Sequence, residues 1–236
     1  MRTCLIVSVV SVLLFGACNS PDHHNSQSEG QFILKKEHQN QWEGSRDHWR
    51  WEGNILIGET TEENPIDQST FLIWNQEVEN FTLRLSFRIS EHGNSGIYYR
   101  CERGPEGYDE LLGYQADIDG QHKYTGIVYE NFLGRHRKIL ANHGEFARIS
   151  EADSVQTYSI STTKSLMEKL IQPGTWNAYE LIVKDALIVQ KINGQIVSMV
   201  EDRANSRYRK GLFGFQLHQG PPMKVEFKDA VFTNIS

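Results

Sequence analysis

The sequence predicts an all-β fold, an antiparallel β-sandwich of jelly-roll type. Three observations carry that expectation. Almost every apolar segment alternates with period two, the segments are short and punctuated by turn residues, and a single stretch has a helical pattern. Five Trp, nine Tyr and eleven Phe are enough to fill a wide interface between two sheets and leave several for a binding face. No repeat recurs at a fixed period, which argues against a propeller.

Along the chain, Arg2 precedes the apolar run "LIVSVVSVLLFGAC", too short and wrongly flanked for a membrane span. It ends Leu14-Phe15-Gly16-Ala17-Cys18, the arrangement of a bacterial lipoprotein signal. Residues 1–18 are therefore expected to be a signal peptide with lipidation at Cys18, tying an exported cell-envelope protein to a membrane, periplasm-facing or on the outer surface. Residues 19–30, "NSPDHHNSQSEG", are polar and aperiodic and are expected to be a flexible linker. The remaining residues, 31–236, suit one domain.

Within that domain, "FTLRLSFRI" buries Phe81, Leu83, Leu85 and Phe87 and exposes Thr82, Arg84, Ser86 and Arg88. "SGIYYR" follows after the turn residues "EHGN". "WNAYELIVKDALIVQKINGQIVSMVED" holds two or three strands, with a hairpin at Asn193-Gly194, because both central residues of a type I′ turn need positive φ. "KGLFGFQLH" and "MKVEFKDAVF" close the fold. "SLMEKLI", 165–171, is the one expected helix, stopped by Pro173-Gly174.

The formal charge is −6 and no long basic run occurs, so nucleic acid is a poor partner. Cys4 leaves with the signal and Cys18 is expected to be acylated. Cys101 is then alone, a structural thiol with no disulfide to make.

Polar residues aligned on strand faces mark the candidate site. "GYQADIDG" sets Gln115, Asp117 and Asp119 at alternate positions, although Asp is disfavoured in strands. Alternation pairs Tyr98 with Arg100 in "NSGIYYR", Gln216 with His218 in "GFQLHQG", and Gly126, Val128 and Glu130 in "YTGIVYE". On one concave sheet these faces would bring Arg100, Gln115, Asp117, Asp119, Gln216 and His218 together. Carboxylates facing an arginine and a histidine suit acid–base work, or a divalent cation held by oxygen ligands and an imidazole. HExxH, paired CxxC and EF-hand motifs are absent.

"GNSGIYYR", "GYQADIDGQHKYTGIVYE", the arginine of "LGR", "WNAYELIVKDALIVQKINGQIV" and "GFQLHQGPPMKVEFKD" resemble, in order and spacing, the 3-keto-disaccharide hydrolase domain family (DUF1080). The likeness runs from about residue 31 to the C-terminus. It departs at "NFLGRHRKIL", where relatives run more directly into Gly-Arg-Gly, which weakens the carry-over to Arg135. The resemblance implies a concanavalin- or laminin-G-like jelly roll. It also implies cleavage of 3-keto-glycosides, made by a partner sugar 3-dehydrogenase, through C2 deprotonation, elimination of the aglycone and hydration. In that reading His218 or Asp117 is the base and Arg100 the electrostatic stabiliser. Gln115, Asp119 and Gln216 touch substrate or a metal, Tyr98, Tyr114 and Tyr124 stack on sugar, and Arg135 is a further contact. A non-catalytic carbohydrate-binding module, an ordinary glycosidase and a calcium-binding adhesion protein stay open beside it.

Overall fold

The computed structural model describes residues 29–105, 110–131, 135, 139–160, 169–172 and 174–236. Cys18, the signal and most of the linker lie outside them, as does most of 165–171, where Lys169 and Leu170 are helical. Among the described residues, no helix is long and apolar enough to cross a membrane.

The strands in chain order are β1 (Gln31–Phe32), β2 (Trp42–Glu43), β3 (Trp49–Glu52), β4 (Ile55–Thr60), β5 (Thr70–Val78) and β6 (Phe81–Ile89). Then come β7 (Asn94–Arg103), β8 (Leu111–Asp119), β9 (Val128–Asn131), β10 (Ile139–Ala141), β11 (Glu145–Ile149) and β12 (Val155–Ser159). β13 (Asn177–Lys184), β14 (Leu187–Ile192), β15 (Gln195–Asp202), β16 (Gly211–Leu217) and β17 (Met223–Asn234) complete the set.

Among these residues they form two sheets. A ten-stranded sheet runs β12-β11-β15-β14-β13-β6-β17-β4-β3, with β1 beside β17, and a seven-stranded sheet runs β10-β9-β8-β7-β16-β5-β2. Neighbours are antiparallel except β11 and β15, which are parallel. This is the expected all-β sandwich. Alternation holds over β6, where Phe81, Leu83, Leu85 and Phe87 are buried, and the β14–β15 hairpin turns at Asn193 and Gly194 with φ of 47° and 82°. Aromatic rings fuse the layers: Phe215 of β16 packs on Phe227 of β17 with ring centroids 4.3 Å apart. Trp49, Phe81, Phe87 and Phe213 fill the same core.

One irregularity redirects the functional face. On β7 the register to β8 shifts between Tyr99 and Glu102, and Arg100 has φ of 51°. Such a bulge inserts a residue and inverts the alternation beyond it. Tyr99 joins the core, Tyr98 and Cys101 share the small apolar cluster with Phe71, Ile73 and Leu111, and Arg100 turns away from them.

Candidate functional site

The outer face of the seven-stranded sheet carries a cleft of about 290 Å³ over β7, β8, β9 and β16. It is built where four strands lie side by side: Tyr98 pairs with Gln115, Gly96 with both Asp117 and Gln216, and Gln115 with Tyr129. Six residues expected from the sequence line it: Tyr98, Gln115, Asp117, Tyr124, Gln216 and His218. Asn94, Glu110, Ile127, Tyr129 and Ile139 complete the wall.

Glycine at position 96 makes the floor possible. A Cβ there would stand 2.3 Å from Gln115 Nε2, so the bare backbone leaves the space that the glutamine occupies. Gln115 Nε2 donates to Gln216 Oε1 at 3.1 Å, and Gln216 Nε2 donates to the Tyr98 hydroxyl at 3.4 Å. The chain of donors ends on Tyr98, whose own O–H is left for a cleft ligand. Burial, then the neighbouring Cys101, Glu110 and Asp117, push the Tyr98 phenol well above its ordinary range, so it stays a neutral donor.

Asp117 is the unusual group. It is 8 % exposed, and its Oδ1 has no hydrogen-bond partner. Burial, reinforced by the charge of Asp119 and opposed by a hydrogen bond from the Ile118 backbone, holds its carboxyl well above the usual carboxylate range. A buried oxygen with no donor facing it is better tolerated on a protonated acid than on an anion. Asp117 therefore keeps its proton to higher pH than an ordinary aspartate.

His218 stands at the rim, with its backbone N–H donating to Asn94 O at 3.1 Å. Its Nδ1 lies 2.6 Å from the Gln219 carbonyl. A carbonyl only accepts, so Nδ1 carries the hydrogen, and in the neutral form of the ring the lone pair is then on Nε2.

Four expected site residues lie elsewhere. Arg100 is turned by the bulge: its guanidinium donates to Glu79 O, Asp185 O and Asn80 Oδ1, tying two turns together. Tyr114 faces the core because it is out of phase with Gln115. It stacks on Tyr99 and donates to Asp202 Oδ2 at 2.7 Å. Arg135 is clamped in the same buried network, 2.9 Å from Asp202 Oδ2 and 3.3 Å from Glu130 Oε2. Asp119 accepts from the backbone N–H groups of Lys123, Tyr124 and Thr125, and from the Thr125 hydroxyl, so it caps the loop that delivers Tyr124 to the cleft. In "YTGIVYE" the polar face is likewise the inner one: Glu130 is buried, and Ile127 and Tyr129 reach the cleft. Among the described residues, no group of three or more His, Cys, Asp and Glu side chains is placed to hold a metal ion.

A family model described as the 3-keto-α-glucoside-1,2-lyase-like domain matches residues 35–233. The chain belongs to this family. A comparison with curated proteins finds none that matches. Two solved structures, each described as a "putative glycosyl hydrolase" from Parabacteroides distasonis, are similar in fold. The first is 16 % identical with a TM-score of 0.58, covering 88 % of this chain and 94 % of that one. The second is 16 % identical with a TM-score of 0.57, covering 88 % and 100 %. The carbohydrate-binding module CBM66 of Bacillus subtilis is 13 % identical with a TM-score of 0.54, covering 82 % of this chain and 96 % of that one.

For this lyase-like domain, the wall residues that sequence reasoning missed fall into two kinds. Ile127 and Tyr129 follow once β9 is known to be buried on its polar side, but alternation alone gives no sign of which side that is. Glu110 stands just before β8 and Ile139 comes from a neighbouring strand, so no local pattern links them to the cleft.

Proposed function

We propose that the chain is a carbohydrate-active enzyme that cleaves glycosides carrying a ketone at C3. The observation that carries the reading is Asp117, a buried acid with an unpartnered oxygen in a cleft that also offers an imidazole lone pair. Membership of a 3-keto-α-glucoside-1,2-lyase-like family supports this choice of substrate class.

The ketone acidifies the C2 hydrogen. His218 Nε2 takes that proton, and the electron pair of the C2–H bond forms a C2=C3 enolate. Protonated Asp117 and the Tyr98 hydroxyl donate to its oxygen, as neutral donors in a dry site stabilise developing charge. The enolate re-forms the C3 carbonyl as the C1–O bond breaks. The bond pair leaves on the aglycone oxygen, which takes a proton from the imidazolium or from solvent. Water then adds across C1=C2, its OH to C1 and its proton to C2, giving the free 3-keto sugar. Gln115 and Gln216 orient ring hydroxyls, and Tyr124 and Tyr129 form the side wall.

The test pairs a 3-keto-glucoside with its unoxidised parent. Cleavage of the keto form alone is expected, with kcat/KM falling about 10²- to 10⁴-fold in His218→Ala and in Asp117→Ala. Cleavage of both substrates would indicate an ordinary glycosidase. Binding without turnover of either would indicate a carbohydrate-binding module. Unchanged turnover in both variants would overturn the roles of His218 and Asp117.

A further inference from the structure

His218 needs more support than the other cleft residues. It stands one residue past the end of β16, half-buried, on the connection that runs through Gly220, Pro221 and Pro222 to β17. A base there is not held by a sheet ladder on its own strand. The tautomer and direction of an imidazole are set by the partner of its other nitrogen. For His218 that partner is the Gln219 carbonyl, 2.6 Å from Nδ1.

The peptide that carries this carbonyl is tied down from both sides. β16 and β5 pair as far as Leu217 and Thr70, and just beyond that rung Ser69 meets Gln219. Each gives its backbone N–H to the other's side chain: Ser69 N donates to Gln219 Oε1 at 3.1 Å, and Gln219 N donates to Ser69 Oγ at 3.4 Å. Ser69 is 7 % exposed and leads directly into β5, so it is a fixed anchor. On the opposite side of β16, the His218 N–H is held by Asn94 O at the start of β7. Gln219 itself is exposed and does not line the cleft, so contact with a sugar does not account for its bonds.

From this arrangement we infer that Gln219 is a positioning residue for the base: clamped to Ser69, it fixes the carbonyl that holds His218 in the Nδ1–H tautomer and leaves Nε2 free for the substrate. The inference rests on the reading of His218 as the base in the cleft. Without the Gln219 side chain the peptide can turn, and Nδ1–H loses a fixed acceptor. The ring then divides between two tautomers and several directions, and fewer molecules present a lone pair at the C2 hydrogen. The sugar contacts of Tyr98, Gln115 and Gln216 are untouched, so the loss falls on kcat and spares KM.

The experiment compares Gln219→Ala with Gln219→Glu, using a 3-keto-glucoside and the ¹⁵N resonances of histidine-labelled protein. Gln219→Ala is expected to lower kcat about 10- to 100-fold with KM within about twofold of the wild type. Gln219→Glu keeps an oxygen for the Ser69 N–H and is expected to restore kcat to within about threefold. The His218 ring resonances, assigned by their loss in His218→Ala, should show Nδ1–H and bare Nε2 in the neutral wild type and in Gln219→Glu. In Gln219→Ala they should show a mixture of tautomers. If the wild type does not turn over the keto-glucoside, the reading of the cleft fails, and the ring spectrum still decides whether Gln219 holds His218. A ring spectrum that Gln219→Ala leaves unmoved overturns the inference. So does a kcat that stays at the wild-type value, or a loss that falls on KM.

Discussion

The two outer faces of the sandwich are written with the same alternating pattern and do opposite things. On the ten-stranded sheet, polar side chains find charged partners across neighbouring strands. Glu180 takes Arg84 and Lys191 at 2.8 Å each, Glu226 takes Arg88, and Glu201 takes Arg148 and Arg203. For Glu180, burial works against ionisation, yet its two cations still hold the carboxyl below its ordinary range. In the cleft of the seven-stranded sheet the polar residues Tyr98, Gln115 and Gln216 are buried and uncharged and stand around Asp117, whose Oδ1 has no partner, while the pair Arg103–Glu43 lies away from the cleft. The difference teaches that a polar strand face becomes a candidate site when its charges are left uncompensated and water is kept out. Polarity alone does not make it one.

That contrast is sharpest in the pH dependence of turnover. If Asp117 works as a neutral donor, activity falls as pH rises through its elevated pKa. Asp117→Asn keeps an N–H donor at the same place but cannot ionise. The variant is expected to retain more activity than Asp117→Ala, losing about 10- to 100-fold against the wild type. It should also lose the alkaline fall in kcat that Asp117 causes. A variant as inactive as the alanine form at every pH would show instead that Asp117 takes the proton itself.

Much of this contrast was legible in the sequence, and its failures have physical causes. Gln115, Asp117 and Gln216 were found because β8 and β16 are regular where these residues stand, so period two reports the face correctly, and His218 continues the phase one residue past the end of β16. Arg100 was misplaced by one bulge. Alternation carries no memory across an inserted residue, and an arginine at positive φ leaves no pattern in its neighbours. Arg135 was expected at the site from the family resemblance alone, and alternation set Glu130 on the polar face of "YTGIVYE" without showing that this face is the inner one. In the fold they neutralise one another beside Asp202 in the interior. Asp119 follows the strand pattern but serves the turn after it, where aspartate accepts backbone N–H groups readily.

A smaller effect separates the faces thermodynamically. The folded-state pKa of Asp117 is raised above the unfolded value of about 3.9. Its contribution to stability is therefore fully present below about pH 4 and is lost as pH rises toward the folded pKa. Asp117→Asn and the wild type should have similar stability near pH 4. The variant should then pull ahead with rising pH by roughly 1–3 kcal/mol, the scale of a buried polar group left without a partner. Thermal melts at pH 4 and pH 8 would show the gap as an upward shift in Tm of about 2–4 °C per kcal/mol. A gap that narrows with pH would contradict the direction assigned to Asp117.

The smallest effect belongs to the paired face. The Arg84 side chain is 71 % exposed, and the bridge to Glu180 that it shares with Lys191 faces solvent. Exposed pairs of this kind contribute about 0–1 kcal/mol and are screened by salt. Arg84→Ala should therefore shift stability by less than about 1 kcal/mol, less again at high salt, and leave turnover of a 3-keto-glucoside unchanged. Lys191 keeps Glu180 partnered in the variant, so no orphaned carboxylate is created. A large loss of activity from this substitution would mean that the two faces are coupled through the core. Charge pairing on the ten-stranded sheet would then bear on the cleft, and the division between a compensated face and an uncompensated one would not explain where the chemistry sits.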